Sequence, residues 1–271
     1  MVESDAQLAI TVAKQAGQLL LKLRQDFGPV DPDDKDRRTE LKNQADAASH
    51  ELIMSLLGEA RPDDAVLSEE GVDEVARDSA DRVWIVDPLD GTKEYGLGRS
   101  DFAVHIALWD RNLGVSGGLI AGVVDLPAQD RTLSTIDDVT APRSIDDSRP
   151  VQLIVSRSRP PEIAKDAGRD ALADILEIEG QTSHGVEVLH SGSVGAKVAE
   201  VLADRADAYV HDTGFYEWDV AAPLAVAQHY GLIASHIGGS DITFNHRPPW
   251  VTNLVVALPT LAPFMIDLRL P

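Results

Sequence analysis

The chain contains no cysteine, which excludes a disulfide framework, a thiolate nucleophile and a sulfur-ligated zinc site. The absence does not fix a redox compartment. Positive charge is scarce: 24 lysines and arginines stand against 45 aspartates and glutamates, a formal net charge of −21 at pH 7. That balance repels nucleic-acid phosphates and offers no basic patch for counterion release, so nucleic acid is not an expected partner. No run approaches the ~18 uninterrupted apolar residues of a membrane helix. The longest apolar stretch, Leu254 to Ile266, is broken by Pro259 and Pro263. The opening Met1-Val2-Glu3-Ser4-Asp5 lacks the basic and apolar regions of a secretory signal, so the expected location is the cytoplasm, without membrane contact.

What is present is an ordinary globular composition, 44% apolar and 25% charged over 271 residues, a length that fits one large or two modest domains. Most of the carboxylates read as solvated surface, so only those at special spacing carry information. The eight histidines are scattered without paired ligand spacing and read as structural or exposed.

Ser4 has the character of an N-cap, followed by Leu8, Val12, Ala16, Leu19, Leu20 and Leu23 at helical spacing up to Phe27 and the breaker Gly28-Pro29. Residues 31–40 contain no apolar side chain and read as a loop or hairpin. A second helix is expected from near Ala45 to Ala60, with Asp46 in its first turn. Strands are expected at Val66-Leu67, Val83 to Val86, Phe102 to Trp109 and Leu119 to Val124. After a polar, proline-containing stretch from Asp137 to Pro150, strands at Val151–Val155, Val186–Leu189, Ala208–His211 and Leu232–His236 alternate with helices at Pro161–Leu176, Val194–Asp204 and Trp218–Tyr230. The expected organisation is a layered α+β or α/β sandwich in two lobes, 1–140 and 141–271.

The informative segment is Trp84-Ile85-Val86-Asp87-Pro88-Leu89-Asp90-Gly91-Thr92, an apolar strand running into two carboxylates, a proline, a glycine and a hydroxyl. Pro88 removes a ladder donor and Gly91 permits a tight turn, so Asp87 and Asp90 can converge on one point. Two converging carboxylates repel unless a cation neutralises them. An all-oxygen set without a cysteine or histidine cluster favours a hard cation, with Mg²⁺ the expected metal. Asp-x-x-Asp-Gly is also a common turn sequence, so the segment alone leaves both readings open.

Asp87-Pro88-Leu89-Asp90-Gly91-Thr92 resembles the signature of the inositol-monophosphatase-like phosphatases. Ser68-Glu69-Glu70 resembles that family's Gly-Glu-Glu, Glu217-Trp218-Asp219-Val220-Ala221-Ala222 its Trp-Asp-x-Ala element, and Asp46 its N-terminal helix aspartate. The resemblance implies a layered αβαβα sandwich and a magnesium-dependent hydrolysis of a small phosphate ester, with two or three ions per site. Position by position, it implies one ion on Glu69, Asp87 and the Leu89 carbonyl and a second on Asp87, Asp90 and Asp219. Thr92 with Asp46 behind it would activate the attacking water, and the Gly91 and Thr92 N–H groups would hold the phosphate. Lithium inhibition and a homodimer are further implications.

Lys93-Glu94-Tyr95 is more similar to the Lys-Glu-Phe of the CysQ-type 3'(2'),5'-bisphosphate nucleotidases than to the Thr-Asn-Phe of the inositol phosphatases. Ser156-Arg157-Ser158-Arg159 and Gly192-Ser193-Val194-Gly195-Ala196-Lys197 resemble nucleotidase segments that face the site from the second lobe. The implied substrate is adenosine 3',5'-bisphosphate, with Ser156, Arg159, Ser193 and Lys197 as binding residues and Lys197 or Arg159 receiving the second phosphate. Such an activity would belong to sulfur metabolism. Two departures stand out: Arg159 replaces a usual histidine, and Lys197 lies one residue late. Inositol 1-phosphate and fructose 1,6-bisphosphate are alternative substrates for the same metals, and a non-catalytic binding protein is the remote alternative.

Overall fold

The Ser4 hydroxyl accepts the backbone N–H of Gln7 and opens α1 (Asp5–Phe27), whose buried Leu8, Val12, Ala16 and Leu20 follow the expected stripe. The computed structural model describes residues 3–266. Helix α2 runs Lys35–Ala60, so most of the expected 31–40 loop is helical and Asp46 lies mid-helix rather than in the first turn. Asp34 caps this helix by accepting the Arg37 N–H at 3.0 Å, and buried Leu41, Ala45, Ile53 and Leu57 anchor the turns that follow. The polar first turns propagate from that packed segment, because Lys, Arg and Glu are good helix formers that leave no apolar periodicity to read.

The first sheet contains β1 (Ala65–Ser68), β2 (Arg82–Asp90), β3 (Ala103–Asp110), β4 (Gly118–Leu126) and β5 (Arg131–Ser134) in that order. β1 is parallel to β2 and the other pairs are antiparallel. The second comprises β6 (Val151–Ser156), β7 (Val186–Ser191), β8 (Ala208–His211), β10 (Ile233–Ser235) and β12 (Leu254–Ala257), ordered β10-β12-β8-β6-β7. Between these, β9 (Phe215–Tyr216) and β11 (Trp250–Val251) pair as a short antiparallel ribbon.

Five layers result. α1 and α2 cover the outer face of the first sheet, α5 (Val194–Leu202) and α6 (Glu217–His229) lie between the sheets, and α4 (Asp166–Ile178) and α7 (Ala262–Ile266) cover the second. Strand alternation divides the core: Trp84 and Val86 of β2 join the cluster under α1 and α2, whereas Val83 and Ile85 face the larger cluster built around α5, α6 and the second sheet. The expected αβαβα sandwich is the observed one. α4 starts later than expected, after a separate 3₁₀ turn at Glu162–Ala164. Helix α6 is buried from Val220 through Ala227 and packs across β2, β3 and β4 of the first sheet, which brings Asp219 to the end of β2.

Candidate metal centre and active site

Pro88 has no N–H to give the ladder, and the β2–β3 register shifts between Asp87 and Asp90. Gly91 then turns the chain at φ +88°, where a Cβ would stand 3.0 Å from the Asp101 carbonyl oxygen and 3.2 Å from Phe102 Cα. Only glycine closes this turn without strain. Thr92 starts the short helix α3 (Thr92–Gly96), and its hydroxyl donates to the Leu89 carbonyl at 3.1 Å. From α2, Ser49 donates to the Pro88 carbonyl at 2.8 Å, pinning the helix that carries Asp46 against the strand end.

Asp87, Asp90 and Asp219 each offer a carboxylate oxygen within 4.8 Å of the other two. Asp87 is 1% exposed; its Oδ1 accepts the Leu89 N–H at 3.0 Å, and its Oδ2 is buried with no hydrogen-bond partner. Asp90 Oδ2 accepts the Ser193 hydroxyl and the Val194 N–H, both at 2.6 Å. Asp219 Oδ2 accepts the Tyr216 N–H at 2.8 Å. Glu69, the fourth expected carboxylate, lies beside Asp87 on the segment following β1 without joining the trio's tight spacing, and its N–H donates to the Val86 carbonyl at 3.3 Å.

The electrostatics are those of a site short of positive charge. Burial, with repulsion from Glu69, Asp90 and Asp219, holds the Asp87 carboxyl well above its ordinary range. Burial and then Asp90 and Glu69 push Asp219 up to about 8. Solvent reaches Glu69, yet the protein packed around it raises it to about 7, with Asp90 and Glu70 adding to the effect. Asp46 is raised to about 7 by burial and then by Glu70 and Glu69, against a smaller pull from Lys42. Uncompensated carboxylates of this kind, with one buried oxygen lacking any partner, fit a hard divalent cation held by oxygen donors. The Leu89 carbonyl keeps a second lone pair after accepting from Thr92.

Other expected residues are placed differently. Thr92 donates to Leu89 and not to Asp46. Ser193 is fully buried, caps α5 by accepting the Ala196 N–H at 3.1 Å, and spends its hydroxyl proton on Asp90. Lys197 is 1% exposed, and its ammonium donates to the Gly192 and Ser193 carbonyls at 2.6 and 2.8 Å. That puts it behind the site as a strut, in place of the expected open phosphate receiver. Arg159 is exposed and reaches the Gly214 carbonyl at 3.3 Å, on the turn that leads to Asp219. Buried Ser156 accepts the Arg159 N–H at 3.3 Å.

One residue of the site escaped the sequence reading. His105 is fully buried on β3, opposite Asp87 in register, with Nε2 3.4 Å from Asp90 Oδ2. Burial lowers its pKa. Its position inside the apolar run Phe102 to Trp109 was the available signal.

Comparison with known proteins agrees with this geometry. The family model for the inositol monophosphatase family matches residues 1–265. A protein of Mycobacterium leprae named 3'-phosphoadenosine 5'-phosphate phosphatase is 38% identical over 270 residues, covering 97% of this chain and 92% of that one. The 3'(2'),5'-bisphosphate nucleotidase CysQ of Escherichia coli K12 is 30% identical, with 87% and 92% covered. The crystal structure of CysQ from Bacteroides thetaiotaomicron superposes with a TM-score of 0.69 at 26% identity over 94% of this chain and 97% of that one. Metal dependence is general in that family, and the acidic trio supplies the donors for it. With its fold, its strand-end carboxylates and its near full-length relatives in agreement, the chain belongs to the inositol monophosphatase family.

Proposed function

We propose that the chain is a magnesium-dependent phosphomonoesterase that converts adenosine 3',5'-bisphosphate to AMP and phosphate. The observation that carries the chemistry is the convergence of Asp87, Asp90 and Asp219 with a buried, unpartnered Asp87 oxygen. In this reading Glu69, Asp87, the Leu89 carbonyl, Asp90 and Asp219 hold the ions. Bound magnesium supplies charge neutralisation at the phosphoryl oxygens and a lowered pKa for the attacking water. Asp46, raised to about 7, is suited to accept a proton near neutrality. Thr92 would hydrogen-bond the attacking water, and the Gly91 and Thr92 N–H groups would orient the phosphate.

The nucleotide assignment is supported by relatives that carry that name across nearly the whole chain and by the Lys93-Glu94-Tyr95 segment. A second support is the aromatic surface beside Asp219: Tyr216 and Trp218 stack with centroids 4.5 Å apart, and Trp250 meets Tyr216 edge-on at 5.1 Å. Tyr216 and Trp250 are both more than two-fifths exposed, a face on which a planar base can stack. Exposed Arg159 on the neighbouring turn offers a cation for the second phosphate. A homodimer, a cytoplasmic location and lobes divided near residue 140 belong to the same reading.

The test is phosphate release from adenosine 3',5'-bisphosphate, inositol 1-phosphate and fructose 1,6-bisphosphate, each with magnesium and with EDTA. A magnesium-dependent kcat/KM at least about tenfold higher for the nucleotide is expected, the discrimination that unpaired polar groups readily produce. Preference for either other ester overturns the substrate, and no release from any overturns the enzyme reading.

A further inference from the structure

Residues from α3, from the end of β6 and from the turn before α5 meet in one network. Arg157 donates from Nη1 to Glu94 Oε1 at 2.8 Å and from Nη2 to Asp101 Oδ2 at 2.7 Å, joining the end of β6 to α3 and to the segment that follows it. Glu94 and Asp101 are 7% and 16% exposed at their side chains. The same Asp101 oxygen accepts the Gly192 N–H at 2.8 Å and the Ser191 hydroxyl at 3.2 Å. The Asp101 carbonyl accepts the Ser193 N–H at 3.3 Å, and the Arg157 N–H donates to the Ser191 carbonyl at 3.0 Å. On the opposite side of the turn, Lys197 holds the Gly192 and Ser193 carbonyls. The Glu94 side chain fills the space a Cβ on Gly192 would need.

The backbone groups of Gly192 and Ser193 are thereby fixed, and the turn delivers the Ser193 hydroxyl and the Val194 N–H to Asp90 Oδ2, which also takes the Gly195 N–H at 3.4 Å. Charge-assisted bonds of this kind restrict geometry as well as add energy, and the groups that orient a metal ligand commonly set metal affinity by tenfold or more. We infer that Arg157, Asp101 and Lys197 are positioning residues for Asp90, acting through the Ser191–Ser193 turn. None of the three belongs to the proposed ligand set. The inference rests on the reading of Asp90 as a metal ligand and is independent of which ester is hydrolysed.

The experiment is calorimetric titration of the EDTA-treated, dialysed full chain with MnCl2. Wild type, Asp90→Asn, Asp101→Asn, Arg157→Gln and Arg157→Lys are compared, each checked for folding by circular dichroism. The expected result is a metal Kd raised about tenfold in Asp101→Asn and in Arg157→Gln, with partial recovery in Arg157→Lys, which keeps the charge but loses the fork. At saturating metal, KM for the best ester should remain within twofold of wild type. Wild-type affinity in Asp101→Asn and Arg157→Gln overturns the inference. Wild-type affinity in Asp90→Asn as well overturns the ligand assignment beneath it. Should Asp101→Asn not fold, the solvent-accessible Arg157 pair decides alone: loss in Gln with recovery in Lys supports the inference, and equal affinity in both overturns it.

Discussion

Ser193 and Asp90, 103 positions apart in the chain, share a 2.6 Å hydrogen bond that closes the site across the two sheets. The same hydroxyl oxygen caps α5. Ser193→Ala therefore removes a helix cap and one of the bonds to the carboxylate at once. Thermal unfolding should show a loss of about 1–2 kcal/mol, and steady-state kinetics at limiting magnesium a larger defect than at saturation.

The stability of the metal-free protein should depend on pH in the sense opposite to ordinary acid denaturation. Asp46, Glu69, Asp87 and Asp219 all have folded-state pKa values raised above their ordinary range. The native state then binds more protons than the unfolded chain between roughly pH 4 and 8, so each group's contribution is present at low pH and lost as pH rises through its folded value. In EDTA, Tm should fall by on the order of 5 °C between pH 6 and pH 8.5. Saturating magnesium, which favours the ionised forms, should restore more at pH 8.5 than at pH 6.

Asp46→Asn retains shape but cannot accept a proton. A decrease in kcat of about 10²-fold or more is expected, with calorimetric metal affinity close to wild type because Asp46 is outside the proposed ligand set. Equal losses in kcat and metal affinity would reassign Asp46 to the ligands.

Arg77 is 1% exposed and holds Asp73 at 2.6 Å, Asn245 Oδ1 at 2.5 Å and the His246 carbonyl at 2.9 Å. The backbone of Asn245 and His246 donates in turn to buried Glu217. Arg77→Leu leaves Asn245 Oδ1 and the His246 carbonyl without their donor, while part-exposed Asp73 keeps Arg247 at 2.8 Å, and unmet buried acceptors of this kind cost about 1–3 kcal/mol. Differential scanning calorimetry should record a Tm lower by on the order of 5 °C.

The fold was legible where periodicity is strong. Ser4 and the stripe from Leu8 to Leu20 located α1, and the apolar runs located β2, β3 and β4. The start of α2 was not, because residues 35–40 are held by a cap and by continuity with a packed helix, neither of which writes a pattern. β5 escaped notice because Arg131-Thr132-Leu133-Ser134 offers four residues with one large apolar side chain. In the site, Asp87 and Asp90 announced themselves through local grammar, a strand ending in proline and glycine. Asp219 became visible only through its resemblance to a family element. The inward turn of the Lys197 ammonium onto the Gly192 and Ser193 carbonyls, the approach of His105 to Asp90 and the fork of Arg157 to Glu94 and Asp101 depend on how the elements pack, which a single sequence does not encode locally.

Helix α6 follows the second sheet's first three strands in the chain yet covers the inner face of the first sheet. During synthesis, strands β1 to β5 are complete while that face, with Val83, Ile85, Ala107 and Val124, is still bare to water. The last carboxylate of the trio arrives on the same helix that seals it. Closure of the core and assembly of the acidic trio are thus one event, and a chain stalled before residue 217 would leave that face without its helix and the trio without its third member.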